Sequence, residues 1–309
     1  MPMKLTILGS SSALPTSERY PSAHVLNVHE RLYLIDCGEG TQMQLRKNKI
    51  RFAKINNIFI SHIHGDHVFG LYGLLSTFNL MGRALPVNLY APGNYLQMLS
   101  SHLTDFDIHL NFEINFTSLG GKDPLKIYED KYLTVTSFPL QHRVPSFGFL
   151  FREKIPDRNI IKESIEKYKI PATRIPAIKK GADFTTETGE LIRNELITIP
   201  GPEPLSYAYC SDTKYFKRLA SFVRGVKLLY HEATFEDSLG DLAEKTGHST
   251  SSGAAKCALA ADAETLIIGH FSARHKDISV LEGQARKIFP RTIAAVDGTT
   301  YDVANINVH

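Results

Sequence analysis

Tryptophan is absent from these 309 residues, and cysteine occurs only three times. Cys37, Cys210 and Cys257 lie far apart and are odd in number, which excludes both a disulfide framework and a CxxC zinc site. Any metal must therefore be held by nitrogen and oxygen donors. Scattered thiols fit a reducing compartment. No apolar run approaches the ~20 residues that span a bilayer, and residues 1–9 hold too short an apolar stretch for a secretory signal. A cytoplasmic chain with no membrane partner is expected. Neither sign of charge is in excess: 35 Lys and Arg stand against 32 Asp and Glu, a net charge of +3. That excludes a uniformly basic nucleic-acid coat but leaves room for a local basic surface. With 43% hydrophobic and 22% charged residues, long-range disorder, collagen and coiled coil are excluded as global descriptions. What the chain has in plenty is histidine, 13 in all.

At ~150 residues per domain, the length fits one large domain or two small ones. Short β-branched or aromatic runs recur at 5–8, 32–35, 57–60, 87–90, 133–138, 206–209, 227–230 and 265–268. Helical periodicity appears between them, at 68–80, 95–103, 214–223, 251–261 and 279–288. In the first of these, Val68, Leu71, Leu75 and Phe78 form an apolar stripe suited to burial. Strands alternating with helices indicate an α/β layered architecture.

Residues 152–198 break this rhythm. They contain ten Lys and Arg, eight Asp and Glu, Pro156, Pro171, Pro176 and Gly181. Leu and aromatic residues are sparse there, so the segment is expected to bury little by itself. It reads either as a solvated insertion or as a projecting arm that grips a partner.

The strongest local signal is Ser61-His62-Ile63-His64-Gly65-Asp66-His67, directly after the apolar run 57–60. Three imidazoles and a carboxylate on a tight turn point several lone pairs into one region. These donors suit Zn²⁺, Mn²⁺ or Fe²⁺. Layered α/β sheets collect functional residues at one edge, and polar residues follow other apolar runs in the same way. They are Asp36, His142, Ser211-Asp212, His231-Glu232 and His270. Taken singly each has a plainer reading. Asp212 also fits a helix cap before Thr213, and Asp36 also fits a turn before Gly38. Ser249-Thr250 also fits a cap of the helix that follows, which would leave His248 exposed.

His62-Ile63-His64-Gly65-Asp66-His67 is the HxHxDH signature of the metallo-β-lactamase superfamily. Further elements resemble the ribonuclease Z family, endonucleases that mature transfer-RNA 3′ ends. They are Asp36-Cys37-Gly38-Glu39-Gly40-Thr41-Gln42, Pro139-Leu140-Gln141-His142, Ser211-Asp212-Thr213, His231-Glu232-Ala233-Thr234, Gly247-His248-Ser249-Thr250 and Gly269-His270-Phe271-Ser272-Ala273-Arg274. These matches run in order from Gly9-Ser10 to Arg274 and so cover nearly the whole chain.

The resemblance implies a single metallo-β-lactamase-like domain over 1–309, a four-layer αβ/βα sandwich with an inserted flexible arm at 152–198. It implies two Zn²⁺ per chain, with Mn²⁺ or Fe²⁺ as alternatives. One ion would be held by His62, His64 and His142, the other by Asp66, His67 and His270, with Asp212 bridging both. A hydroxide shared by two such ions would attack a precursor transfer RNA. Cleavage would leave a 3′-hydroxyl on the transfer RNA and a 5′-phosphate on the trailer. Asp66 would also accept and orient the proton of the attacking water. His248, oriented by Glu232, would act as general acid toward the leaving oxygen. Asp36 would orient a metal-bound histidine from behind.

In that family an arm clamps the transfer-RNA elbow. By this likeness Lys162, Lys167, Lys169, Arg174, Lys179 and Lys180 would contact phosphates, with Arg274 doing so near the site. The Gly-Pro pair expected within such an arm has no clear counterpart between 152 and 198; Gly201-Pro202 comes later. The resemblance further implies a homodimer. Another dinuclear hydrolase of the superfamily, acting on small phosphodiesters or related esters, is the competing reading. A charged insertion favours the larger substrate.

Overall fold

The computed structural model describes residues 3–306. Strands β1 (Lys4–Gly9), β2 (Ala23–Val28), β3 (Arg31–Ile35), β4 (Ile55–Phe59), β5 (Val87–Pro92) and β6 (Ile114–Leu119) build a first sheet. Strands β7 (Leu125–Glu129), β8 (Leu133–Pro139) and β9 (Phe147–Glu153) begin a second. The short strands β10 (Asn159–Ile160), β11 (Phe184–Thr185), β12 (Leu191–Ile192) and β13 (Thr198–Ile199) pair only among themselves, β10 with β13 and β11 with β12. The second sheet is completed by β14 (Ser206–Cys210), β15 (Leu228–Glu232), β16 (Thr265–Gly269) and β17 (Thr292–Ala294), and β18 (Thr300–Asp302) returns to pair with β1. The chain divides into two compact units, one of residues 1–152 and 205–309, the other Glu153–Pro204.

The layering of the larger unit follows from the two-residue period of a strand, which sends alternate side chains to opposite faces. Along β3, Tyr33 and Ile35 join one hydrophobic cluster while Leu32 and Leu34 join another. Along β4 and beyond, Phe59 separates from Ile58 and Ile60 in the same way. The first cluster lies between the sheets and is aromatic at its centre. Phe59 stacks on Tyr90 at 4.5 Å and meets Phe149 and Phe151 edge-on at 5.5 and 5.3 Å. The second cluster seats the helices Thr41–Lys47, Gly65–Leu80 and Tyr95–Asp105 on the outside of the first sheet. Beyond the second sheet, Ala254, Ala255, Cys257 and Ala258 of helix Ser251–Ala260 and Leu281 and Ala285 of helix Ser279–Arg286 pack into the core. Helix, sheet, sheet, helix is the four-layer sandwich expected. All three cysteines are buried and unpaired. Among the described residues no helix is long and apolar enough to cross a membrane.

Two expectations change. The segment 214–223 is helical only over Leu219–Phe222. The Lys214 N–H is drawn instead to the Gln141 carbonyl, at 2.9 Å, and tertiary tethering overrides the periodicity there. The smaller unit has a core of its own, made by Ile170, Ile178, Phe184, Ile192 and Ile197, with Ile160, Ile165, Tyr168 and Ile175 packed against it. It runs to Pro204, six residues past the expected boundary at 198, and so includes Gly201-Pro202. A side chain at Gly201 would lie 2.8 Å from Pro156 and 2.9 Å from the Asp157 carbonyl, so the two ends of this unit cross where only glycine fits.

Candidate metal centre

The carboxyl ends of β4, β8, β14 and β16 open on one edge of the larger unit, since the residues that follow them come within reach of one another; within the sheets, β3–β4 and β14–β15–β16 run parallel. The polar residues that follow these strands are thereby gathered. His62 and His64 leave β4; Asp66 and His67 lie in the first turn of helix Gly65–Leu80, where a carboxylate suits the positive helix end. His142 follows β8, Asp212 follows β14, and His270 follows β16.

The seven residues form two groups that share Asp212. In one, the His64 Nδ1 lies 3.1 Å from His62 Nε2 and 3.2 Å from His142 Nε2. Asp212 Oδ2 lies 3.4 and 3.8 Å from the same two Nε2 atoms. In the other, His67 Nε2 and His270 Nε2 stand 3.4 Å apart, with Asp66 Oδ2 at 3.4 and 3.3 Å and Asp212 Oδ1 at 3.4 and 3.2 Å from them. Asp212 is 2% exposed, and its Oδ1 accepts no hydrogen bond although two imidazoles stand beside it. A buried carboxylate oxygen left in that state is costly. Each oxygen of Asp212 faces one group.

The far sides of the rings are anchored. Asp36 Oδ2 accepts the His67 Nδ1–H at 2.7 Å and the Tyr209 hydroxyl at 2.6 Å. Ser61 gives Asp36 both its N–H, at 2.7 Å, and its hydroxyl, at 2.8 Å. Because that hydroxyl proton is committed, the Ser61 Oγ accepts from His62 Nδ1 at 3.0 Å and from the Ser211 hydroxyl at 2.9 Å. The Gly247 carbonyl accepts the His142 Nδ1–H at 2.8 Å. Three rings thus keep Nδ1 protonated and turn an Nε2 lone pair inward, the tautomer a metal ligand requires. Burial lowers His62, His142 and His64, the last to about 4 with help from the neighbouring His62 and His142. Burial raises Asp212, but His270, His67 and His62 outweigh it and hold the carboxyl well below its ordinary range. Burial lowers His67 too, but Asp66, Asp212 and Asp36 outweigh it and raise that ring, so positive charge is drawn to the carboxylate side of the site. Imidazole nitrogens and ionised carboxylates facing one another form a donor set that fits hard-to-borderline divalent cations.

Asp36 is wholly buried beneath the site with a left-handed backbone (φ 56), and His270 has the same conformation (φ 59). His248 Nδ1 meets Glu232 Oε1 at 3.0 Å. Burial pulls the His248 ring down, but Glu232, backed by Asp212 and Asp66, lifts it to about 9. The capping alternative also holds at its own position: Thr250 accepts from the Gly253 N–H at 3.2 Å while His248 stays with Glu232. Asp212 caps no helix. A cavity of about 370 Å³ opens over the site, lined by His64, Asp66, Asp212, His248 and His270 together with Arg143 and Arg274. Lys162, Lys167, Lys169, Arg174 and Lys180 are exposed and Lys179 half-buried, all within the smaller unit.

Sequence reasoning assigned no role to Arg143, Ser61, Ser211, Tyr209, Thr234 or the Gly247 carbonyl. For Arg143 the signal was its place next to His142. For Ser61 and Ser211 it was adjacency to His62 and Asp212. Tyr209 gave none, being an ordinary strand residue.

Residues 3–169 match a family model described as Anti-Pycsar protein Apyc1. Over a longer span the chain is 43% identical to a ribonuclease Z of Bacteroides thetaiotaomicron, across 302 residues that cover 98% of this chain and 96% of the relative. A ribonuclease Z of Cytophaga hutchinsonii is 40% identical over 308 residues, 99% of this chain and 97% of its own. Among solved structures, the short form of human tRNase Z (ELAC1) superposes with a TM-score of 0.71 at 25% identity, covering 99% of this chain and 100% of that one. The metallo-β-lactamase fold protein YhfI of Bacillus subtilis, at 16% identity, shares the fold with a TM-score of 0.69 over 97% of this chain and 99% of that one.

Proposed function

The chain belongs to the ribonuclease Z family, and from that premise we propose that it is a divalent-metal endoribonuclease cleaving precursor transfer RNA at its 3′ end. Two Zn²⁺ are the proposed ions, one at His62, His64 and His142, the other at Asp66, His67 and His270. The observation that carries this reading is Asp212, whose two buried oxygens each face one histidine group. Cations held there supply positive charge to the phosphate and lower the pKa of water nearby. The remaining work falls to side chains of this chain. Asp66 takes the proton of the attacking water as its oxygen bonds to phosphorus. The P–O3′ bond breaks as His248, held through Nδ1 by Glu232, gives a proton to the departing 3′ oxygen. Asp36 holds His67 from behind. Arg274 meets a flanking phosphate at the cavity.

The test is to map cleavage ends on one precursor with an encoded CCA and one without. A 3′-hydroxyl on the transfer-RNA product and a 5′-phosphate on the trailer are expected; no cleavage of either precursor overturns the reading.

Glu153–Pro204 is proposed to bind the transfer RNA through Lys162, Lys167, Lys169, Arg174, Lys179 and Lys180. Arg152 and Ser206 are paired neighbours of β9 and β14, so a short Gly-Ser link can replace the unit without disturbing the sheet. That deletion is expected to cut precursor cleavage by about 10²–10³-fold, mostly through KM, because several phosphate contacts are lost. Hydrolysis of bis(p-nitrophenyl) phosphate should persist. Equal loss on both substrates would refute a role confined to RNA binding. A cytoplasmic homodimer completes the proposal. Exposed Phe69, Leu80, Met81 and Phe106, on or next to helices Gly65–Leu80 and Tyr95–Asp105, offer apolar surface for a second copy.

A further inference from the structure

The Glu232 carboxylate is wholly buried and surrounded by donors. Oε1 accepts from the Thr213 N–H at 3.1 Å, the Ser249 N–H at 2.9 Å and His248 Nδ1 at 3.0 Å. Oε2 accepts from the Thr234 N–H at 3.0 Å and lies 2.8 Å from the Thr234 hydroxyl. Five donors leave no place for a proton on this group, so the hydroxyl must give its single hydrogen to Oε2. The lone pairs of Thr234 Oγ1 then face two imidazole nitrogens, His270 Nδ1 at 2.8 Å and His248 Nδ1 at 3.3 Å. With its only hydrogen committed, Oγ1 can meet His270 Nδ1 only as an acceptor. His270 therefore carries its proton on Nδ1 and keeps a lone pair on Nε2. That atom lies 3.2 Å from Asp212 Oδ1 and 3.3 Å from Asp66 Oδ2.

We infer that Thr234 is a positioning residue through which one carboxylate, Glu232, sets two imidazoles at once: His248 directly and the metal-facing His270 by way of the threonine hydroxyl. The anchors of His62, His67 and His142 do not pass through Glu232, so Thr234 ties one ion's ligand set, and not the other's, to the proton donor. The part concerning His248 rests on the function proposed above, whereas the part concerning His270 stands on the donor geometry alone.

The test compares Thr234→Val, which keeps the shape and removes the hydroxyl, with Thr234→Ser, which keeps the hydroxyl. Metal-free full-length protein is titrated with Zn²⁺ against a chromophoric chelator, which reads metal affinity without substrate. Thr234→Val is expected to weaken one of two Zn²⁺ binding steps by about 10–100-fold and leave the other unchanged, with Thr234→Ser restoring it to within about threefold. In parallel, kcat on the precursor falls in Thr234→Val while KM holds. Parent-like affinity for both ions in Thr234→Val would overturn the inference. So would equal weakening of both, or a loss that Thr234→Ser fails to restore, since either would mark packing and not the hydroxyl. Failure of the parent protein to cleave RNA would strike the functional reading but leave the Zn²⁺ titration just as decisive.

Discussion

Asp212→Ala is expected to bind fewer than two divalent ions per chain and to cleave precursor transfer RNA about 10²–10⁴-fold more slowly than the parent. The magnitude comes from the sharing of this carboxylate. Losing even a supporting contact costs about 10–100-fold in metal affinity or activity, and Asp212 faces both histidine groups, so the losses multiply. Metal per chain, measured by elemental analysis after gel filtration, reads the first effect, and single-turnover cleavage reads the second. Circular dichroism and the thermal midpoint of the apoprotein check that the sheets persist. Asp212 is almost fully buried and lies at a strand end, not in the core, so removing it deletes charge without opening a cavity among the aromatic rings between the sheets. Retention of two ions with cleavage within about tenfold of the parent would contradict a shared ligand. Asp212→Asn refines the result, because it keeps the volume and one lone-pair acceptor while removing the charge that the neighbouring imidazoles stabilise.

His248→Ala should reduce kcat on the precursor by about 10²–10⁴-fold, the range for a general acid placed at a poor leaving group. RNA binding and metal content should stay as in the parent, since His248 hydrogen-bonds to Glu232 and Thr234 and to none of the seven proposed ligands, with Asp212 Oδ2 4.0 Å from its Nδ1. The decisive comparison is between leaving groups. A ribose 3′ oxygen needs a proton as it departs, whereas p-nitrophenolate does not. His248→Ala should therefore be far less impaired on bis(p-nitrophenyl) phosphate than on RNA. Equal impairment on both substrates would assign His248 to binding or structure.

The proposed metal ligands are legible in the sequence because their chemistry imposes local order. A site at one sheet edge has to draw its residues from the positions just after strands, so apolar runs ending in His or Asp mark His62, His142, Asp212 and His270 by pattern alone. The strands of the core are legible for the same reason, since Leu32 to Ile35 divides its side chains between two clusters. The anchors are harder to see. Ser61, Ser211, Tyr209 and Thr234 are common residue types, and their roles depend on partners 150, 173 or 36 positions away. No spacing rule reaches that far. The helix expected over 214–223 fails because Thr213 and Lys214 are pulled into the site by Glu232 and Gln141. The smaller unit reads as coreless because leucine and aromatics are scarce in it; isoleucine does the packing instead.

Two residues of the site, Asp36 and His270, hold left-handed backbones at φ 56 and φ 59. That conformation costs an ordinary L-residue about 1–2 kcal/mol, a strain glycine escapes. Six other non-glycine residues share that conformation among the described residues, but only these two stand at the edge where the chemistry sits. At Asp36 the four hydrogen bonds accepted by the buried carboxylate offset that strain, so stability and site geometry are held by the same group. Glycine would relieve the twist at either position but would remove the carboxylate or the ring that the edge depends on, and at Asp36 it would also strand the Ser61, His67 and Tyr209 donors in the interior.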